Sequence, residues 1–192
     1  MVVDPDTGRL MGVPFLPSPH CDDRPAGQSP ELLVVHSISL PPGRFGGPEV
    51  EALFLGRLDG TAHPDFASLA RLRVSAHLFI RRDGGMVQFV PFHRRAWHAG
   101  VSRFRGRERC NDFSVGIELE GTDVLPFAPA QYEALAACIR ALCEAYPDLS
   151  PARVTGHEHI APGRKTDPGP WFDWTWLAML LGEAPGTLPA PA

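Results

Sequence analysis

Phe113-Ser114-Val115-Gly116-Ile117-Glu118-Leu119-Glu120 is the stretch on which the fold class turns. Apolar side chains occupy 113, 115, 117 and 119, and polar or minimal ones occupy 114, 116, 118 and 120. A period of two belongs to a strand, here with one buried face and one face looking into a polar space. Upstream, Leu32-Leu33-Val34-Val35-His36 is a short β-branched apolar run that reads as a buried strand ending on an imidazole. A rigid strand end is a good place to hold a chemical group in a cleft. Residues 74–81 read as a third strand, Asp83-Gly84-Gly85 as a turn, and residues 86–90 as the returning partner.

The helices follow from period and punctuation. Residues 48–57 carry Pro48 at the first turn and Gly56 near the end. Residues 129–146 place Leu135, Cys138, Ile139 and Leu142 on one stripe, and Pro147 stops the run. A short strand over 153–156 and a last helix over 173–181 complete the order, with a Pro/Gly loop at 39–48 and a long loop from 96 through the arginines at 103, 105, 107 and 109. Strands and helices interleave irregularly around one hairpin, which gives an α/β fold with a mixed central β-sheet flanked by α-helices. A chain of 192 residues suits one domain, 1–192, with residues 1–30 as an extended N-terminal arm and 186–192 as a frayed tail.

A formal net charge of -4 argues against general nucleic-acid or anionic-membrane binding. The four cysteines form no Cys-x-x-Cys pair, so a cysteine zinc site is not expected. Residues 1–6 carry no basic stretch leading into a long apolar one, and no run is long enough to span a bilayer. A cytoplasmic protein with reduced thiols is expected.

The chemistry concentrates near the C-terminal end, in Gly156-His157-Glu158-His159 and Lys165-Thr166-Asp167-Pro168-Gly169. With His36 these supply two imidazoles and a carboxylate, a ligand set for a catalytic zinc that leaves a fourth position open. Spacing alone does not make them meet: there are eight histidines, and His157 and His159 are themselves a possible pair. Glu118, on the polar side of an otherwise apolar strand, is a candidate general base, and Glu120 shares its face and competes for the role. Lys165 is a candidate cation for a developing oxyanion. The alternating arginines suit bidentate contacts to carboxylates, with Trp97 and His98 beside them as an apolar wall and a polar contact for a ligand.

Several segments carry a resemblance: Leu-Val-Val-His at 33–36, Ser-Leu-Pro-Pro-Gly at 39–43, Arg-Val-Ser-Ala-His at 73–77 and Arg-Ala-Trp-His-Ala-Gly at 95–100. Gly-Arg-Glu-Arg-Cys-Asn-Asp-Phe-Ser at 106–114, Gly-Ile-Glu-Leu-Glu-Gly-Thr-Asp at 116–123 and Ile-Ala-Pro-Gly-Arg-Lys-Thr-Asp-Pro-Gly-Pro at 160–170 complete the set. The chain resembles the type-2 N-acetylmuramoyl-L-alanine amidases over residues 17–174, and within them the members that act on 1,6-anhydro-N-acetylmuramoyl-L-alanine. The resemblance implies the fold of the peptidoglycan recognition proteins. It implies one Zn2+ per chain held by His36, His157 and Asp167, with Glu118 taking a proton from water and Lys165 stabilising the tetrahedral intermediate. It matches Arg73 and Arg109 to positions suited to the substrate's carboxylates, and Trp97 to a groove-lining residue; His98 is added as a substrate contact.

The implied substrate is a small anhydromuropeptide met in the cytoplasm, and the implied role is wall recycling, which in some bacteria also tunes β-lactamase induction. A monomer with no nucleic-acid or membrane partner is expected. Two alternatives remain at this stage: a muropeptide-binding module of the same fold without activity, and an endolysin-like amidase acting on intact peptidoglycan. Two positions depart from the family pattern. Ser37 stands where relatives carry Asn after the first zinc histidine, and His159 stands where they carry Asp, which leaves His159 as a possible second claimant for the metal.

Overall fold

The computed structural model describes residues 1–189. In chain order it contains β1 (Val3–Asp4), β2 (Arg9–Leu10), β3 (Cys21–Asp23), β4 (Leu32–Ile38), α1 (Glu49–Phe54), α2 (Phe66–Leu69), β5 (Leu78–Ile80) and β6 (Met86–Gln88). There follow β7 (Arg94–Ala96), β8 (Arg103–Phe104), β9 (Arg107–Glu108), β10 (Ser114–Glu120), α3 (Pro129–Ala145), β11 (Val154–Gly156), α4 (His157–Ile160) and α5 (Trp174–Leu181). The main sheet has five strands in the order β11-β4-β10-β5-β6. Neighbours run parallel except β5 and β6, which form the hairpin expected around Asp83-Gly84-Gly85. The sheet is therefore mixed, with helices on its faces, as the sequence predicts.

Alternation sorts the two faces. Leu33 and Val35 of β4, with Val115, Ile117 and Leu119 of β10, pack against Leu135, Ile139 and Leu142 of α3 and Leu177 of α5. Each such side chain, fully buried, contributes about 1.5–3 kcal/mol. The register of β4 and β10 keeps these residues on one side. The opposite face carries Leu32 and Val34, covered by Phe104, Cys110 and Phe113. Further along that side, Phe79 of β5 packs with Val50, Leu53 and Phe54 of α1.

Five expectations change. The strand read over 74–81 is limited to Leu78–Ile80: the His77 N–H still reaches the Gly116 carbonyl of β10, but the Ser75 N–H turns away to the carbonyl of Trp97, outside the sheet. The loop expected after residue 96 contains the small hairpin β8–β9. Residues 1–30 hold a second hairpin, β1–β2, that buries Val3 and Leu10 in the core, and β3, which pairs with β7. The face of β10 expected to look into a polar space is covered: Ser114 and Gly116 are buried, and only Glu118 is partly exposed. Of the tail read as frayed, Leu188 is buried, and residues 190–192 lie outside the described residues.

Candidate active site

Register brings the candidate residues into one row. Glu118 of β10 pairs with His36 of β4, and Gly156 of β11 pairs with Val35. His157, one residue past Gly156, therefore falls beside His36 from the other neighbour. Three adjacent parallel strands thus deliver His157, His36 and Glu118 side by side toward their carboxyl ends, where sheets of this kind hold ligands. Asp167 arrives from the loop after α4, whose start is tied back by the Glu158 N–H on the Asp167 carbonyl at 2.8 Å. That loop is also anchored to the strand end beyond β10: Thr166 Oγ1 donates to Asp123 Oδ2 at 2.7 Å, and a Cβ on Gly169 would lie 2.5 Å from that of Asp123.

The row closes into a triangle. His36 Nδ1 and His157 Nδ1 are 2.9 Å apart, and Asp167 Oδ2 lies 3.1 Å from the first and 3.0 Å from the second. Three donors spaced in this way suit one small cation bound at about 2 Å from each. Both imidazoles are buried, and the far nitrogen of each is engaged: His157 Nε2 on the Ala99 carbonyl at 3.1 Å and His36 Nε2 on His98 Nδ1 at 2.9 Å. Bonds at the far nitrogen free the near one as a ligand.

Electrostatics favour the same use. Burial, with the neighbouring His157, pushes His36 down to about 4, so its imidazole is neutral. Burial pushes the Asp167 carboxyl up, but hydrogen bonds to His157 and His36 outweigh it and hold it below the usual carboxylate range. A neutral imidazole and an ionised carboxylate are the forms that bind metal. Glu118 is the counterpoint: burial and the nearby Asp167 hold its carboxyl well above the usual value, with Lys165 opposing. Its Oε2 has no hydrogen-bond partner among the described residues. Buried polar atoms are normally satisfied, so an orphaned carboxylate oxygen beside the donor triangle fits a group that works on a ligand.

Around this row lies a cavity of about 230 Å³. His36, His98, Glu118, His157, Lys165 and Asp167 form its polar side, and Leu53, Phe54, Leu69, Leu72 and Val74 form an apolar wall. A second cavity of about 410 Å³, lined by Ser37, Thr122, Asp123, Arg164 and Thr166, shares Lys165 and Asp167 with it. Lys165 is exposed at this junction.

Glu118 and Glu120 part company here. Glu120 is buried and its oxygens are taken by the N–H groups of Gly46, at 2.5 Å, and Arg82, at 3.1 Å. His159 also leaves the contest: its Nδ1 accepts the Gly156 N–H at 3.2 Å, and its ring lies edge-on to Trp174. Among the described residues, His36, His157 and Asp167 are the group placed to hold a metal.

The remaining candidates sit elsewhere. Arg73 is exposed, next to the cavity-lining Leu72 and Val74. Trp97 donates Nε1–H to Asp22 at 3.0 Å and stacks on His20. Arg109 is exposed, in a left-handed conformation, and pairs with Asp112 at 3.1 Å. His98 lines the cavity, but both its ring nitrogens bond within the protein, Nε2 lying 3.1 Å from Ser114 Oγ.

Sequence reasoning missed the groups behind the candidate ligands: the Ala99 carbonyl, Ser114, Gly116 and Arg164, whose guanidinium also donates to the Ala99 carbonyl at 2.6 Å. Gly116 carried a usable signal, since a glycine inside a strand marks a close approach. A Cβ there would lie 2.4 Å from His98 Cγ.

The family profile described as N-acetylmuramoyl-L-alanine amidase matches residues 26–170. The chain is 61% identical over 178 residues to the 1,6-anhydro-N-acetylmuramyl-L-alanine amidase AmpD of Escherichia coli K12, covering 93% of this chain and 97% of that protein. Its fold superposes on the crystal structure of a selenomethionine AmpD derivative with a TM-score of 0.91 at 59% identity, covering 94% and 99% of the two chains. It also matches the E. coli amidase AmiD in complex with the substrate anhydro-N-acetylmuramic acid-L-Ala-D-gamma-Glu-L-Lys, with a TM-score of 0.60 at 30% identity over 84% of this chain and 61% of that one.

Proposed function

The chain belongs to the N-acetylmuramoyl-L-alanine amidase family, and from that premise we propose that it hydrolyses the amide between the lactyl group of 1,6-anhydro-N-acetylmuramic acid and L-alanine. The substrate is a small anhydromuropeptide, processed in the cytoplasm by a monomer during peptidoglycan recycling. His36, His157 and Asp167 hold one zinc ion. The observation that carries this reading is the row of His157, His36 and Glu118 across three parallel strands, closed by Asp167.

A zinc ion in the triangle supplies Lewis-acid polarisation of the scissile carbonyl and acidification of water. Glu118 performs the proton transfers. Its carboxylate takes a proton from the attacking water, whose oxygen bonds to the carbonyl carbon. As the C–N bond breaks, Glu118 returns that proton to the alanine nitrogen, and the proton of the new lactyl carboxyl follows it, leaving the lactyl carboxylate and the alanine ammonium. Its raised pKa suits both halves, because an acid–base group works best with a pKa near the operating pH. Lys165 brings its ammonium to the carbonyl oxygen as negative charge builds there. The apolar wall from Leu53 to Val74 excludes water from one side of the reacting amide and strengthens these interactions. Arg73 and Arg109 take carboxylates of the peptide stem, and Trp97 lines the approach. Four free thiols fit a reducing compartment.

The test is metal analysis of the purified chain together with cleavage of anhydromuropeptide. About one zinc per chain and release of the peptide are expected. A zinc-loaded chain that leaves the muramoyl–alanine bond intact would make it a binding module, and faster digestion of intact sacculi would assign it to wall degradation.

A further inference from the structure

Both candidate histidine ligands are held from behind by one dipeptide. His36 meets the ring of His98, and His157 meets the carbonyl of the next residue, Ala99, each through Nε2. The dipeptide in turn hangs on one side chain. Asn111 Oδ1 accepts the N–H of His98 at 3.1 Å and that of Ala99 at 2.8 Å. Two N–H donors converging on one amide oxygen fix the orientation of the Asn111 side chain. Its backbone is fixed too, since the Arg24 guanidinium donates to the carbonyls of Asn111 and Asp112 at 3.1 and 3.2 Å.

The chemistry of the contacts sets the tautomers. A carbonyl only accepts, and Ala99 at 3.1 Å is nearer to His157 Nε2 than the Arg164 guanidinium at 3.4 Å, so His157 carries its proton on Nε2 toward Ala99 and presents a bare Nδ1. When His98 donates from Nε2 to Ser114 Oγ, its Nδ1 is bare and accepts the Nε2–H of His36, whose Nδ1 is then bare as well. Gly116 leaves room for that ring over β10. We propose that Asn111 is a positioning residue for the metal centre: by gripping the His98–Ala99 dipeptide it sets the orientation and tautomer of His36 and His157 together. This rests on the zinc reading above and deepens it, because the grip lies outside the ligands and reaches both of them through the backbone.

The test is metal affinity, read with Co2+ absorption and by Zn2+ competition against a chelator, in the wild type, Asn111→Leu, Asn111→Asp and His98→Phe. Asn111→Leu keeps the size and removes the acceptor, whereas Asn111→Asp keeps an acceptor oxygen. Loss of a group that orients metal ligands costs about 10–100-fold in affinity. That loss is expected for Asn111→Leu, with a changed Co2+ spectrum, while Asn111→Asp stays within about threefold of wild type. His98→Phe removes only the His36 acceptor and is expected to weaken binding about tenfold, which carries the test should Asn111→Leu fail to fold. Wild-type affinity and spectrum in Asn111→Leu and His98→Phe would overturn the proposal, as would equal losses in Asn111→Leu and Asn111→Asp. A wild type that takes up no more Co2+ than Asp167→Ala would overturn the zinc reading itself, and the positioning role with it.

Discussion

Gly116→Ala is the most informative single perturbation, because its sign depends on the ring packed over β10. A Cβ at 116 would lie 2.4 Å from His98 Cγ, 2.5 Å from Nδ1 and 2.7 Å from Cδ2. Carbon atoms in contact settle at about 3.5–4.0 Å, so the ring must retreat by roughly 1 Å or more. The strand cannot yield in its place, since β10 is laddered to β4 and β5. Overpacking of this kind costs about 1–3 kcal/mol. Displacement also stretches the 2.9 Å contact to His36 and the 3.1 Å contact to Ser114 past hydrogen-bonding range, at about 0.5–1.5 kcal/mol each.

Together these terms destabilise the protein by about 2–6 kcal/mol, a fall in Tm of about 4–24 °C for a chain of this size. Were the space above residue 116 open, the same substitution would stabilise by about 0.5–1 kcal/mol, because glycine loses the most freedom when a strand forms. Thermal unfolding followed by circular dichroism in the presence of chelator separates the two without reference to metal. An unchanged or raised Tm would refute the packing of His98 over the strand.

Other consequences can be checked alongside. Glu118→Gln is expected to keep zinc at wild-type stoichiometry, lower kcat by about 10²–10⁴-fold and remove the acid limb of the pH–rate profile; an active variant with that limb intact would move the base elsewhere. Asp167→Ala is expected to lose zinc and with it the stabilisation that zinc gives the wild type, about 2.7 kcal/mol when free zinc is 100 times Kd, so that added zinc no longer raises its Tm. In metal-free protein, stability is expected to fall as pH drops. His77, buried and beside Arg24, is held down to about 3, and His36 to about 4, so below about 6.5 the unfolded chain takes up protons that the folded chain refuses. Each histidine contributes a slope of about 1.4 kcal/mol per pH unit until its folded pKa is reached, and Glu118, shifted upward, opposes them in part. Urea midpoints at pH 6.5, 5.5 and 4.5 that stay level would contradict this.

The central pair of strands was legible because two of the longest β patterns in the chain, at 32–36 and 113–120, became β4 and β10. What no local pattern contains is their register, and register is what sets Glu118 beside His36. The choice between Glu118 and Glu120 was closed for the same reason. The two share a face, and only tertiary contacts show that Gly46 and Arg82 occupy Glu120 while Glu118 keeps an oxygen unpaired. His157 and His159 divide similarly, since the one-turn helix α4 turns the second ring back onto Gly156. His98 read as a substrate contact because its partners, His36 and Ser114, come from two other segments.

Alternation along β10 also misled in an instructive way. The sequence reads as a strand with one wet face, yet the strand sits between β4 and β5 and is covered on both sides. The polar face is polar because its residues bond to what covers it. Ser114 meets His98, the Gly116 N–H donates to His77, and Glu120 holds Gly46 and Arg82. A buried polar group is tolerated when every atom has a partner, and each exception has to be explained. On this face Glu118 Oε2 is the exception among the described residues, standing next to the three atoms placed to hold a metal, in a cavity with one apolar wall. The same rule that makes the covered polar face stable therefore singles out, on this face, the carboxylate proposed to handle a proton.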